Sequence, residues 1–410
     1  MNTTEKQPRY YLGLCAIAKD ETPYLREWAI YHHYIGFEKI YVYDNGSAVP
    51  VRETLADLAE KGVLTVHDMP GQTMQLPAYT HCLREHGHEC VWLAFFDLDE
   101  FLYLKEDVDA RILLRDYESF SGLALHWDMF SSSGHLTHPA GMAMELYRQS
   151  LGSSSYCKSI VQPSTVRNPI SPHHFWYTRG CAVNTDGSPA LGPFIPPCSD
   201  KAWLNHYSYR SQQDYEGKIR KGSAVVYVKG KRSHEKFYRQ AAAPVTEKTD
   251  ILPLAREVAD LLEKGEFRMR LDITFEQSRA MDIGKASALV GKFLQLGENA
   301  MAEALFSLCY RRFADNLLFL QLGVLLFRET GRHGRALALM REKMLFYPPD
   351  IPDYRLYLEC LTDNSLVEDM RQTASLLLHN AFHTNNTDLQ SDMERYAERH
   401  NLNLDIPFPL

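Results

Sequence analysis

Two carboxylates, Asp97 and Asp99, follow directly on an apolar run, Val91 to Phe96 (VWLAFF), with Glu100 next in line. Mg²⁺ and Mn²⁺ favour oxygen ligands, and their sites usually combine one or two carboxylates with phosphate oxygens of a substrate. A cation held there would bridge the diphosphate of a donor and neutralise charge as the leaving group departs. An Asp-x-Asp triplet is short and arises often by chance. Its position at the end of a buried strand gives it weight against the plain alternative, a solvated acidic turn.

The elements that must position this triplet read as an α/β sheet. Tyr10 to Ala18 (YYLGLCAIA) is a short apolar run and predicts a buried parallel strand. Thr22 and Pro23 resemble a helix N-cap and first helical position, apolar residues follow at helical spacing, and Gly36 closes the helix. Lys39 to Tyr43 predicts a second strand, Arg52 to Lys61 a helix, Val63 to His67 a third strand and Gln75 to His86 another helix. With Val91 to Phe96 as the fourth strand, the alternation predicts a doubly wound sheet with right-handed crossovers. Such sheets bind ligands beyond the carboxyl ends of their strands. Lys19-Asp20-Glu21, Asp44-Asn45 and Asp97 to Glu100 all fall at those ends.

Composition sets outer bounds. The chain has 410 residues, 45% hydrophobic and 23% charged, with a formal charge of −8. That length predicts more than one domain, and the composition excludes a wholly disordered chain. The acidic balance argues against a general nucleic-acid binder. No stretch reaches the roughly 18 apolar residues of a membrane span, and Met1 to Arg9 lacks the apolar core of a signal peptide. The expected location is cytoplasmic, with a peripheral position at the inner face of the membrane left open. Eight cysteines without a CxxC pair fit reduced, structural thiols.

From about 120 to 240, Gly, Ser, Pro and His gather at Ser131 to His138, Pro163 to His174 and Gly187 to Lys201, which predicts long loops over the sheet. Basic residues cluster from Arg210 to Lys236 and include Lys218, Lys221, Lys229, Lys231 and Arg232. Such a stretch after the last motif could cover the diphosphate or touch an anionic lipid or glycan, and a solvated face is its ordinary reading. Beyond Ala241 the chain reads as helical. Gly297-Glu298 and Gly331-Arg332 lie 34 residues apart, Ala302 aligns with Ala336 and Ala304 with Ala338. That period predicts tetratricopeptide-like helical pairs, with a weaker continuation to Ser365. The expected division is 1–240 for the α/β domain and 241–410 for the helical one.

Residues 12 to 47 resemble the opening of the glycosyltransferase family 92-like group, within the GT-A nucleotide-sugar transferases that also include family 2-like enzymes. FFDLDEF at 95–101 is similar to its acidic motif and HWDMFSSSGH at 126–135 to its acceptor-side segment. Lys158 to Val161, and Asn205-His206-Tyr207 with Ser211 and Lys218, resemble later motifs. The resemblance covers roughly residues 10–225. It implies a GT-A, Rossmann-like nucleotide-diphospho-sugar transferase domain that depends on Mn²⁺ or Mg²⁺. The reaction it implies is transfer from a nucleotide-diphosphate sugar to a glycan or lipid-linked acceptor, with inversion. It further implies that Asp97, Asp99 and His206 hold the metal. Lys19, Glu21, Asp44, Asn45, Asp97 and Lys158 would line the donor pocket. His173 and His174 compete with His206.

Inverting transfer needs a general base near the acceptor hydroxyl, and Asp128 and Glu100 are the two candidates. Trp127, Trp176, Tyr177, Trp203 and Tyr207 could stack on sugar or base, though each also suits a packed loop anchor. Two other readings compete. A haloacid-dehalogenase-type phosphatase also uses the first Asp of such a triplet as nucleophile, but there the motif lies near the chain start, and Phe101 stands where a small hydroxyl residue is expected. A catalytically silent scaffold would bind protein partners through the helical tail.

Overall fold

In the computed structural model, residues 7–222 and 233–404 are described; Lys229, Lys231 and Arg232 of the expected basic cluster lie outside them. The chain forms two compact units, an α/β unit and an all-helical one, divided between Gln277 and Ser278.

The first unit is built on one mixed sheet. Strands β1 (Tyr10–Ala18), β2 (Lys39–Asp44), β3 (Leu64–Asp68) and β4 (Cys90–Phe95) run parallel in the order β4-β1-β2-β3. The runs of β1, β2 and β4 are buried on both faces, as strands covered by helices must be, whereas β3 is buried only at Leu64. Helix α1 (Thr22–Tyr34) starts at Thr22 itself, with Glu21 as the capping position. The region predicted as one helix from Arg52 is two short ones, α2 (Val51–Thr54) and α3 (Ala56–Glu60), while α4 is Gln75–His86.

The rest of the sheet departs from an all-parallel one. After β5 (Glu100–Leu104), α5 (Ala110–Arg115), β6 (Gly122–Phe130) and α6 (Ala143–Leu146), the long β7 (Gln149–Val161) runs antiparallel between β4 and β6. Strands β8 (Val166–Ser171) and β9 (His174–Tyr177) form a separate hairpin. Strands β10 (Ala182–Val183) and β11 (Pro189–Ala190) extend the β6 edge. Strand β12 (Ala202–His206) pairs with both β5 and β6. Helices α7 (Gln212–Lys221) and α8 (His234–Ala241), the short β13 (Thr246–Glu247) and α9 (Leu252–Lys264) follow, and β13 pairs with β7.

The expected boundary at 240/241 therefore falls inside the first unit, and a buried ion cluster gives the reason. Arg111 binds Asp109 through two bonds of 2.9 and 2.6 Å and also donates to the carbonyls of Leu271 and Ile273. Glu38 accepts from Tyr11 N and Phe275 N. These bonds fasten the 271–275 segment to the sheet. Gly36, which closes α1 at φ +107°, is tied to the same cluster. A Cβ there would come within 2.2 Å of the Asp109 carboxylate.

Helix α10 (Phe275–Ala280) spans the division. The second unit holds helices α11 (Ile283–Gln295), α12 (Asn299–Phe313), α13 (Leu317–Glu329), α14 (His333–Phe346), α15 (Ile351–Asp363), α16 (Val367–His383) and α17 (Thr387–His400). The starts of α11, α13 and α15 are 34 residues apart, as are those of α12, α14 and α16. Gly297, Gly331 and Ser365 occupy the same turn of successive pairs with φ of +71°, +77° and +57°. Ala302 and Ala336 are fully buried at matching positions, whereas Ala304 is buried and Ala338 exposed. Among the described residues no helix is long and apolar enough to cross a membrane. The eight cysteines are free thiols.

Candidate active site

The strand order reverses between β1 and β4, and the crevice at that point is where open α/β sheets bind ligands. The carboxyl end of β1 supplies Lys19, Asp20 and Glu21. Among the described residues Lys19 has no hydrogen-bond or ion-pair partner. The carboxyl end of β2 supplies Asp44 and Asn45, but both side chains are tied into the turn. Asp44 accepts from Ser47 N at 2.8 Å and Val51 N at 2.9 Å, and Asn45 accepts from Gly71 N at 2.8 Å.

Asp97 to Asp99 form a tight turn after β4, closed by Glu100 N donating to Asp97 O at 3.1 Å. The turn is braced from below: Trp28 of α1 donates to Glu100 O at 3.0 Å and Tyr31 to Leu102 O at 2.5 Å. Because β5 pairs antiparallel with β12, His206 falls opposite Glu100. That pairing brings a residue more than a hundred positions away to the triplet.

The two aspartates have different surroundings. Asp97 Oδ1 accepts from Gln75 Nε2 at 2.6 Å and pairs with Lys158 Nζ at 3.0 Å. Lys158 is fully buried and also lies 3.8 Å from Glu100, itself fully buried. Asp99 faces the other way. Its Oδ2 meets Lys218 Nζ at 2.5 Å and its Oδ1 lies 3.5 Å from His206 Nε2. Behind them Arg210 donates to Glu21 at 2.5 Å and to Leu98 O at 2.9 Å, with its guanidinium 3.6 Å from the centre of the Tyr24 ring. Lys221 reaches Glu21 at 3.2 Å. Four carboxylates (Glu21, Asp97, Asp99, Glu100) are thus interleaved with four cations (Lys158, Arg210, Lys218, Lys221).

The electrostatics follow from these partners. Burial works against the Asp99 carboxylate, but Lys218, His206 and Arg210 overcome it and hold its pKa well below the usual range. Glu100 is the opposite case: burial, with Asp97 and Asp99 nearby, outweighs Lys158 and raises its pKa well above the usual range. His173 donates Nδ1–H to Cys157 O at 2.9 Å, and burial followed by the Lys158 charge lowers its pKa to about 4.

The two expected bases stand away from solvent. Asp128 pairs with Asn205 across β6 and β12, while Trp127 pairs with Leu204. Side chains alternate between sheet faces, so Asp128 points to the face opposite Trp127 and His206. There its carboxylate is held by Ser150 at 2.6 Å and by Lys248. The structure therefore separates Asp128 from the Asp99 cluster. Glu100 stays beside that cluster but is sealed and accepts from Asp97 N at 2.9 Å.

The metal set expected from Asp97, Asp99 and His206 is not brought together as a trio. Among the described residues no three His, Cys, Asp or Glu side chains converge on one point. Asp99 and His206 do converge, and Asp97 is committed to Gln75 and Lys158. His174 sits in the β8–β9 hairpin. Gln75 is a site residue that no motif marks, whereas Arg210 and Lys221 lie in the basic stretch that the sequence offers as a cover for a diphosphate. The signal for Arg210 is its place just after Asn205-His206-Tyr207, at the start of a basic stretch that suits either a diphosphate or a solvated face.

Residues 12–181 match the family described as Glycosyltransferase family 92, so this segment of the chain is family 92-like. A Glycosyltransferase family 92 protein of Oryza sativa subsp. japonica is 25% identical over 245 residues, covering 58% of this chain and 40% of its own length. One of Ricinus communis is 27% identical over 228 residues, covering 52% and 37%. The chain thus spans about 40% of the length of these relatives. Galactan beta-1,4-galactosyltransferase GALS2 of Arabidopsis thaliana is 28% identical over 131 residues, covering 28% of this chain and 25% of its own. Among solved structures, S. aureus TarS 1–349 aligns with a TM-score of 0.32 at 13% identity, covering 83% of this chain and 94% of that one.

Proposed function

We propose that the chain is a GT-A glycosyltransferase that moves a galactosyl group from a nucleotide-diphosphate donor to a glycan acceptor with inversion. The observation that carries this reading is the cluster of Asp99, His206, Lys218 and Arg210 at the switch point between β1 and β4. It combines anion-binding cations with a carboxylate–imidazole pair at the place where such sheets take nucleotides. The family 92-like segment and the named galactosyltransferase relatives support the reaction class and the sugar.

The residues fit a divalent cation in part. Asp99 Oδ1 and His206 Nε2, 3.5 Å apart, are two donors on one side of an ion, and phosphate oxygens of the donor would complete the set. The cation, when bound, supplies charge neutralisation for the departing diphosphate. Lys218, Lys221 and Arg210 supply fixed positive charge to the same phosphates. Lys19 extends the cationic edge toward the nucleoside. Asp44 and Asn45 shape the turn that receives the base. Lys158 holds Asp97 in place, and Glu100 braces the turn.

The test is a thermal-shift and turnover series with UDP-galactose as the probe, with and without Mn²⁺, in the wild type and in Asp99→Ala. The expected result is stabilisation by donor plus cation that Asp99→Ala removes. Equal stabilisation of both proteins, or none across a panel of nucleotide sugars, refutes the reading.

A further inference from the structure

Histidines gather where the sheet ends at β3, two strands away from β1. His67 lies on β3, and His81 and His86 lie on α4. His67 Nε2 and His86 Nε2 are 2.9 Å apart. Each ring of this pair is held in place. His86 donates its Nδ1–H to Glu89 at 3.1 Å and stacks on Tyr41, with ring centres 4.3 Å apart. Tyr41 in turn donates to the other oxygen of Glu89 at 2.7 Å. His67 stacks on Tyr43 at 5.0 Å. His81 stands beside the pair, its ring 5.3 Å from that of His67 and its Nδ1 bonded to the Tyr43 hydroxyl at 2.9 Å. Glycosyl transfer at Asp99 uses none of these groups.

The geometry suits an ion shared by the two rings. With its Nδ1–H turned to a carboxylate, neutral His86 keeps a lone pair on Nε2, aimed at His67. A carboxylate behind an imidazole is the arrangement that orients ligating histidines. Two nitrogens bound at about 2.0–2.1 Å to one ion lie roughly 2.9 Å apart at a right angle and roughly 3.4 Å apart at the tetrahedral angle, so the pair needs a movement of about 0.5 Å at most. Burial, followed by the charges of His86 and His81, lowers the His67 pKa and favours the neutral, ligating form, while Asp68 and Glu85 act in the opposite direction. Arg52 pairs with Asp68 and Arg84 with Glu85. His67 and His86 are both partly exposed, which leaves room for water at the other positions of an ion.

We infer that His67 and His86 form a two-imidazole site for a transition-metal ion of the Ni²⁺, Cu²⁺ and Zn²⁺ class, separate from the Asp99–His206 pair. Imidazole suits these ions, whereas Mn²⁺ and Mg²⁺ favour oxygen. In the neutral, empty pair His67 donates its Nε2–H to His86. On binding, that hydrogen moves to His67 Nδ1, so both Nε2 lone pairs face the ion and no net proton is released. The ion ties the last turn of α4 to β3. Gln75, at the other end of α4, donates to Asp97, so the ion braces the helix that reaches the candidate active site.

The test is titration of the full chain with CuCl₂ and NiCl₂. Electron paramagnetic resonance of the wild type with one equivalent of Cu²⁺ should show splitting from two imidazole nitrogens, where the Asp99–His206 pair offers one. Calorimetry should show a Ni²⁺ site that His67→Gln and His86→Gln each weaken by at least about tenfold, the range seen when a metal loses one supporting partner. Two controls separate it from other histidines. His206→Gln removes the imidazole beside Asp99, and His383→Gln breaks the exposed His379–His383 pair on α16; both should leave the site unchanged. Saturating Ni²⁺ should raise the melting temperature of the wild type and not that of the His67→Gln/His86→Gln double variant. A Cu²⁺ signal with one nitrogen or none overturns the inference and leaves the pair a hydrogen bond. So does Ni²⁺ binding that both variants leave intact, or that His383→Gln alone removes. If the variants fail to fold, the wild-type resonance decides by itself.

Discussion

Lys218 Nζ sits 2.5 Å from Asp99 Oδ2, on the carboxylate whose other oxygen faces His206 at 3.5 Å. On the proposed reading, an ammonium ion and a divalent cation would compete for this one carboxylate. Lys218→Met is expected to raise the affinity of the donor-free protein for Mn²⁺ several-fold, since the competitor is gone. It should also lower donor turnover, because a phosphate-binding charge goes with it. Titration of free Mn²⁺ by electron paramagnetic resonance reads the first effect. Unchanged Mn²⁺ affinity would show that Asp99 is not the carboxylate a cation uses.

Lys158 offers a test of the buried ion network. It is fully enclosed with Asp97 at 3.0 Å and Glu100 at 3.8 Å. Removing one member of a buried charge set leaves the others uncompensated, at a cost of about 3–5 kcal/mol. Lys158→Met should show that loss in urea denaturation, and adding Glu100→Gln should recover part of it. Independent, additive effects of the two changes would contradict the coupling.

A pH dependence follows from Glu27 on α1. Its carboxylate accepts from Ala143 N at 2.8 Å and Met144 N at 3.2 Å, yet burial raises its pKa from 4.5 to about 7. A raised acid pKa favours the protonated form in the folded state. The stability it contributes is complete below the unfolded value and is lost as pH rises through the folded value. Between about pH 4.5 and pH 7 the wild type should therefore lose stability through this group, and Glu27→Gln should show a flatter profile. Parallel melting-temperature profiles for the two proteins would refute the assignment.

The helical repeat predicts opposite effects at equivalent turns. Ser365 adopts φ +57° where Gly331 adopts +77° one period earlier. A non-glycine residue pays about 1 kcal/mol there. Ser365→Gly should stabilise the second unit by about that amount, and Gly331→Ala should destabilise it similarly. Denaturation of residues 278–410 followed by hydrogen exchange within the full chain measures both. The same sign for both changes would remove the equivalence.

Much of this architecture was legible in the residues. β1 spans Tyr10–Ala18 and α4 spans Gln75–His86 as periodicity and apolar runs predict, because burial on both faces leaves few alternatives. The Gly297–Gly331 interval matches the observed period because a left-handed turn favours glycine. What sequence did not disclose depends on parity and distance. Asp128 read as an acceptor-side base, but whether a strand residue faces the cleft depends on register, and a shift of one residue reverses the face. Arg210 binds Glu21 across 189 positions, and nothing local marks that pairing. The boundary at 240 missed the Arg111–Asp109–Glu38 cluster for the same reason.

The spacing of α11 to α17 carries one more consequence. Each helix packs chiefly against its neighbours in sequence, α11 with α12, α13 with α14, α15 with α16 and α16 with α17. The unit has no single nucleus on which every part depends. Its resistance to opening is set by the number of intact junctions on either side of a given pair. Exchange of amide hydrogens should then differ from pair to pair, and disrupting one junction, such as α13 with α14, should speed exchange in its neighbours without dissolving the rest of the array.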